Sequence, residues 1–136
     1  MEGLIMYLAD TNIFLEALLE QNRAAEVHLF FQSTDLDQIC MTDLSLYSIG
    51  IILFRLKKFV LFISFLNDMV IDGIGILSLK PTELQTLDLV VPKFNLDFDD
   101  AYQYAVAKKH NLQLISFDTD FDKTDLKRKT PAEVRK

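Results

Sequence analysis

Short apolar runs alternate along this chain with longer stretches whose apolar residues recur every three to four positions. Residues 4–9 are uninterrupted nonpolar positions closed by Asp10, which predicts a short strand buried on both faces. Residues 12–20 then place Ile13, Phe14, Ala17 and Leu18 at the i, i+1, i+4, i+5 spacing of an amphipathic helix. Residues 24–32 predict a second helix, 34–37 a turn, and 38–42 a short second strand. Thr42 or Asp43 is suited to cap a helix running through Leu46, Ile49, Leu53 and Leu56. Residues 59–69 predict a further helix that stops near Asp72-Gly73, and 74–79, where glycine alternates with apolar residues, a third strand. Pro81 opens a helix to about Val91, and Pro92 ends it. Asp99 or Asp100 starts a helix through Ala101, Ala105 and Lys108 that His110-Asn111 closes, and 112–116 form a fourth strand. The charged tail holds a short fifth strand around Leu126 and a last turn opened by Pro131.

Strands alternating with helices imply an α/β fold. The expectation is a three-layer α/β/α sandwich around a central, mainly parallel, four- to five-stranded sheet. The 136 residues suit one domain spanning 1–136. A hydrophobic half and a charged quarter provide a core and argue against disorder. No repeat, low-complexity segment or linker is visible. The greasiest stretch, residues 44–66, is split by Arg55, Lys57 and Lys58 into pieces too short to cross a bilayer, and reads as two buried helices. The start, Met1-Glu2-Gly3, is acidic rather than basic, so no targeting peptide is expected. Cys40 stands alone within Ile39-Cys40-Met41. It reads as buried packing, with no disulfide framework, as suits a reducing cytoplasm.

The net charge of −6 argues against a broadly basic nucleic-acid-binding surface. It leaves room for nucleic-acid chemistry at an acidic pocket, because a bound cation inverts the local sign. Any grip on phosphate is then local, from Arg55, Lys57, Lys58, Lys108, Lys109, Lys127, Arg128 or Lys129, each otherwise a solvated surface charge. His28 and His110 lie apart at helical positions and read as surface or capping groups.

Three aspartates carry the chemistry. Asp10 ends the first strand, Asp118 follows the end of the fourth by two residues, and Asp100 opens the helix just upstream. Carboxylates at strand ends lie at the carboxyl edge of an α/β sheet, where such folds place ligands. Without cysteine or suitably placed histidine, their convergence points to a hard cation, Mg²⁺ or Mn²⁺. Each aspartate alone is explained by a cap or a turn; all three on one edge is not. The run Asp118-Thr119-Asp120-Phe121-Asp122 resembles the start of a calcium loop, but Lys123 stands where glycine is required and Lys129 where the closing glutamate belongs. A haloacid-dehalogenase-like phosphatase would need an aspartate where Asn12 stands, and no receiver-type acidic pair is clear.

In Asp10-Thr11-Asn12, in Asp100-Ala101-Tyr102-Gln103-Tyr104-Ala105-Val106-Ala107 and in the strand ending Ser116-Phe117-Asp118, the chain resembles the PIN-domain family of metal-dependent ribonucleases, and more narrowly the VapC-type toxins. The resemblance implies catalytic, metal-binding carboxylates at Asp10, Asp100 and Asp118, with Asn12 and Ser116 as supporting polar groups. It implies hydrolysis of phosphodiester bonds in single-stranded or looped RNA with Mg²⁺ or Mn²⁺. It also implies a homodimer and a small antitoxin partner that blocks the cleft. Residues 49–66 would suit such contacts, although burial in the chain's own core accounts for most of that stretch. One departure stands out. The family carries a glutamate in the helix after the second strand, and alignment of residues 41–50 puts Ser48 there. Asp43, five residues earlier and about 140° around a helix, reaches the cleft only from the helix start. The alternative to an enzyme is therefore a degenerate PIN-like module that binds RNA or a protein without cutting.

Overall fold

In the computed structural model, residues 5–134 are described, so Met1-Glu2-Gly3 and the first residue of the predicted opening strand, Leu4, lie outside them. Strand β1 (Tyr7–Ala9) leads through α1 (Thr11–Leu18) and α2 (Ala24–Ser33) to β2 (Ile39–Thr42). Helices α3 (Asp43–Arg55) and α4 (Phe59–Phe65) connect β2 to β3 (Gly75–Leu77). Then α5 (Pro81–Leu84), α6 (Leu87–Phe94) and α7 (Phe98–His110) carry the chain back to β4 (Gln113–Ile115), and α8 (Pro131–Val134) follows. The sheet order is β3-β2-β1-β4, with every pairing parallel.

Strand periodicity explains the three layers. Tyr7, Ala9, Ile39, Met41 and Ile115 turn to the face covered by α1–α4, while Leu8, Cys40 and Leu114 turn to the face covered by α7. Both sets are buried, which is why these positions are apolar on both faces instead of alternating with polar residues. After β1 the connections run one way to β2 and β3, and then back across to β4. The order therefore reverses beside β1, and a crevice opens at the carboxyl ends of β1 and β4.

The predicted elements need four corrections. The third strand is shorter than residues 74–79. The helix from Pro81 is broken into α5 and α6, and Pro92 lies inside α6 instead of ending it. The chain continues to Asn95, whose left-handed backbone (φ 53°) closes the helix, and Phe94 packs on Tyr104 with ring centroids 5.2 Å apart, so tertiary packing outweighs the hydrogen bond proline cannot make. The helix from Phe59 passes after α4 into one π turn, Leu66–Val70. The fifth strand around Leu126 is reduced to a single bridge between Ile115 and Lys129.

The two helices of residues 44–66 are only half buried. Ile49, Leu53 and Phe65 reach the core, but Ile51, Phe54, Phe59, Val60 and Ile63 are exposed. A helix lying on a sheet buries one stripe, so apolar residues all round it leave an uncovered face. Gly50 lets that pair close up, since a Cβ there would stand 3.2 Å from the Phe62 ring.

Candidate metal centre

The reversal of strand order sets Asp10 and Asp118 side by side. Asp10 is the first residue after β1, and its N–H donates to the Ile115 carbonyl of β4 at 2.9 Å. Its carboxylate caps α1, accepting from the Thr11 N–H at 2.8 Å. Its second oxygen accepts from the Ser116 hydroxyl at 2.7 Å. Ser116 Oγ in turn accepts from the Asp118 N–H at 2.9 Å, so one buried hydroxyl ties the two carboxylate-bearing segments together. Asp118 begins a 3₁₀ turn, Thr119–Lys123, and accepts from the Asp120 N–H at 2.8 Å. Asp100 sits in the first turn of α7, where the helix dipole favours negative charge.

Asp10, Asp100 and Asp118 line one cavity of about 370 Å³, together with Thr11, Asn12, Ser48, Asp97, Asp99, Gln103 and Asp120. Among the described residues, no lysine, arginine or histidine lines it. The tightest group is Asp100, Asp118 and Asp120, each offering a carboxylate oxygen within 4.8 Å of the others. Asp10 stands beside that trio but deeper, at 6 % exposure.

Crowded, poorly hydrated anions hold their protons. Burial pushes the Asp10 carboxyl up, against the pull of the Ser116 hydroxyl and the Thr11 N–H, and the charges of Asp118 and Asp99 push the same way. Burial, followed by the charges of Asp118, Asp10, Asp120 and Asp97, raises Asp100 to about 7. All the charged groups lining the cavity are carboxylates, the donor chemistry of a hard divalent cation such as Mg²⁺ or Mn²⁺, whose charge would relieve this repulsion.

The expected site residues divide into those that meet and one that does not. Asp10, Asp100 and Asp118 converge, Ser116 links two of them, and exposed Asn12 and half-buried Ser48 lie on the rim. Asp43 is outside the cavity. Its carboxylate accepts from its neighbour Leu44's N–H and from the Tyr102 hydroxyl, both at 2.8 Å, and that hydroxyl accepts from the Leu79 N–H at 2.9 Å. Asp43 thus fastens the start of α3 to α7 and to the loop after β3. Asp120, Asp97, Asp99 and Gln103 went unnoticed in the sequence as site residues. The Asp-x-Asp spacing of 118–120 was a signal for the first, since an aspartate side chain that bonds the backbone two residues on folds positions i and i+2 together. The i, i+3 spacing from Asp100 was a signal for Gln103. Of the cations proposed to grip phosphate, Lys108, Lys109 and Arg128 are already paired with Asp125, Glu83 and Asp122.

The family model described as PIN domain matches residues 7–127. No curated protein matches the chain significantly. Among solved structures, the chain is similar to VapC20 of Mycobacterium tuberculosis, described as a Sarcin-Ricin loop cleaving toxin, at 15% identity and a TM-score of 0.77, covering 92% of this chain and 99% of that one. It is similar to FitAcB from Neisseria gonorrhoeae at 19% identity and a TM-score of 0.71, covering 93% and 98%. A chain of a toxin-antitoxin complex from Klebsiella pneumoniae matches at 20% identity and a TM-score of 0.66, covering 85% and 89%. At these identities the likeness is one of fold.

Proposed function

The chain belongs to the PIN-domain family, and on that premise we propose that it is a divalent-cation-dependent endoribonuclease, the toxin of a type II toxin–antitoxin pair, with residues 1–136 as a single PIN-like domain. The observation that carries the reading is the meeting of Asp10, Asp100 and Asp118, distant in sequence, in one cavity free of cationic side chains among the described residues. In this reading Asp100 and Asp118 hold Mg²⁺ or Mn²⁺ with Asp10 and Asp120, and Ser116 and Asn12 are supporting groups. The bound ion supplies charge for the phosphate and an acidified water. The chain's own part is to fix the carboxylates. Ser116 holds Asp10 and the Asp118 backbone in register, and the Thr11 N–H anchors the other Asp10 oxygen. An open acidic cleft suits single-stranded or looped RNA, whose backbone is splayed outward.

The uncovered apolar face of α3 and α4, with Tyr47, Ile51, Phe54 and Val60, supports an antitoxin partner and a homodimer. Free, buried Cys40 suits a reducing cytoplasm. The test is cleavage of a pooled RNA library with and without Mn²⁺, with Asp100→Asn as the control. Manganese-dependent cleavage lost in the variant supports the enzyme. A second reading, RNA or protein binding without cutting, is favoured by one observation: Ser48 brings no carboxylate to the α3 wall. RNA retained without cleavage at any Mn²⁺ concentration would establish that reading instead.

A further inference from the structure

The α3 wall lacks a carboxylate, but a polar group from another element reaches the space beside it. Gln103 lies on α7 one turn beyond Asp100, lines the same cavity and is only 2 % exposed. Its amide nitrogen donates to Ser45 Oγ and faces Asp10 Oδ1 at 3.4 Å. Its amide oxygen, also buried, has no hydrogen-bond partner among the described residues.

The identity of the orphan atom follows from its hydrogen-bonding neighbours. Exchanging the two amide atoms would set an oxygen against Asp10 Oδ1, an acceptor already engaged by the Thr11 N–H. The other two contacts of that carboxylate, the Thr11 N–H and the Ser116 hydroxyl, are likewise donors to it. Nitrogen therefore faces Asp10. Ser45 cannot serve the oxygen either. Ser45 Oγ accepts from Gln103 and from the Thr42 hydroxyl at 3.2 Å, so its single proton goes to Thr11 Oγ1 at 2.7 Å. A buried acceptor without a donor is rare in a folded protein and marks an unfilled role. Among the described residues, the charged groups around the cavity are all carboxylates, and none brings a cationic donor to it.

We propose that Gln103 is a positioning residue of the cation site: its nitrogen holds the Asp10 carboxylate, and its free oxygen accepts a hydrogen bond from the hydration shell of a divalent ion. Magnesium and manganese keep several of their waters when held by few carboxylates, and those waters are strong donors. The amide thus supplies, as a neutral oxygen from α7, an anchor that the α3 wall does not. The inference rests on the metal-dependent reading above.

The experiment measures Mn²⁺ affinity by calorimetry on the full chain, alongside metal-free thermal unfolding. Gln103→Leu keeps the volume and removes both polar atoms. It is expected to weaken Mn²⁺ binding about tenfold or more, the usual effect of losing a group that orients metal ligands. A purely structural glutamine would lower the metal-free melting temperature and leave Mn²⁺ affinity within about twofold of wild type, and that result overturns the proposal. Should the leucine variant fail to fold, Gln103→Met decides: it keeps the length of the side chain and lacks the amide, so Mn²⁺ binding is expected to weaken about tenfold, whereas affinity within about twofold of wild type overturns the proposal. Wild-type protein that binds no Mn²⁺ would remove both this inference and the nuclease reading. Binding that Asp100→Asn abolishes and Gln103→Leu spares would remove this inference alone.

Discussion

The two walls of the cavity carry opposite chemistry. The wall formed by α7 and the segment after β4 crowds Asp100, Asp118 and Asp120 within 4.8 Å. The wall formed by α3 offers Ser48, while its nearest carboxylate, Asp43, is engaged by the Tyr102 hydroxyl outside the cavity. The contrast teaches that a carboxylate's value to a site depends on its competitors. Asp43 has a neutral donor 2.8 Å away, whereas Asp100 has mainly other anions and burial around it, and its pKa rises to about 7 in response.

The strongest way to break the comparison is to take a carboxylate from the crowded wall. Asp118→Asn is expected to reduce Mn²⁺ affinity by about 100-fold or more and to abolish RNA cleavage, measured by calorimetry and gel assay. Survival of either within about threefold would mean that the crowded wall is not the metal site. The converse change adds charge to the poor wall. Ser48 lines the cavity, so Ser48→Glu is expected to tighten Mn²⁺ binding about tenfold and to raise the cleavage rate.

A smaller effect comes from pH. With no cation bound, Asp100 titrates near 7 in the folded chain and near about 4 in the unfolded chain. The folded state therefore binds the extra proton between these values. The stability that proton confers is complete below about pH 4 and is lost as pH rises through about 7. Melting temperature followed across this window should fall less steeply in Asp100→Asn than in wild type. Mn²⁺ needs the ionised group, so its affinity should climb over the same range. The smallest effect belongs to Asp43→Asn, which should leave Mn²⁺ affinity within about twofold while costing about 1 kcal/mol of stability through the weakened Tyr102 bond, checked by denaturant unfolding.

The order and type of most elements were legible in the sequence because apolar periodicity reflects burial directly. Tyr7-Leu8-Ala9 and Leu114-Ile115 are apolar on both faces because both faces of β1 and β4 are covered. Pro92 misled because the local rule against proline in a helix was outweighed by packing of Phe94 on Tyr104. The exposed half of α3 and α4 was also hidden, since hydrophobicity alone does not say which stripe meets the sheet.

The sequence by itself determined that Asp10, Asp100 and Asp118 would lie near the edge of a parallel sheet, because each follows or opens an element whose direction is set by local pattern. Only the tertiary structure decided which polar groups share that edge. Asp120 joins through a 3₁₀ turn, Gln103 enters from α7 with an unpartnered oxygen, and Asp43 is drawn away by a tyrosine 59 positions later. Such choices depend on side-chain partners distant in the chain, and a hydrogen bond or a repulsion acts over a few ångströms of space regardless of the number of residues between its ends.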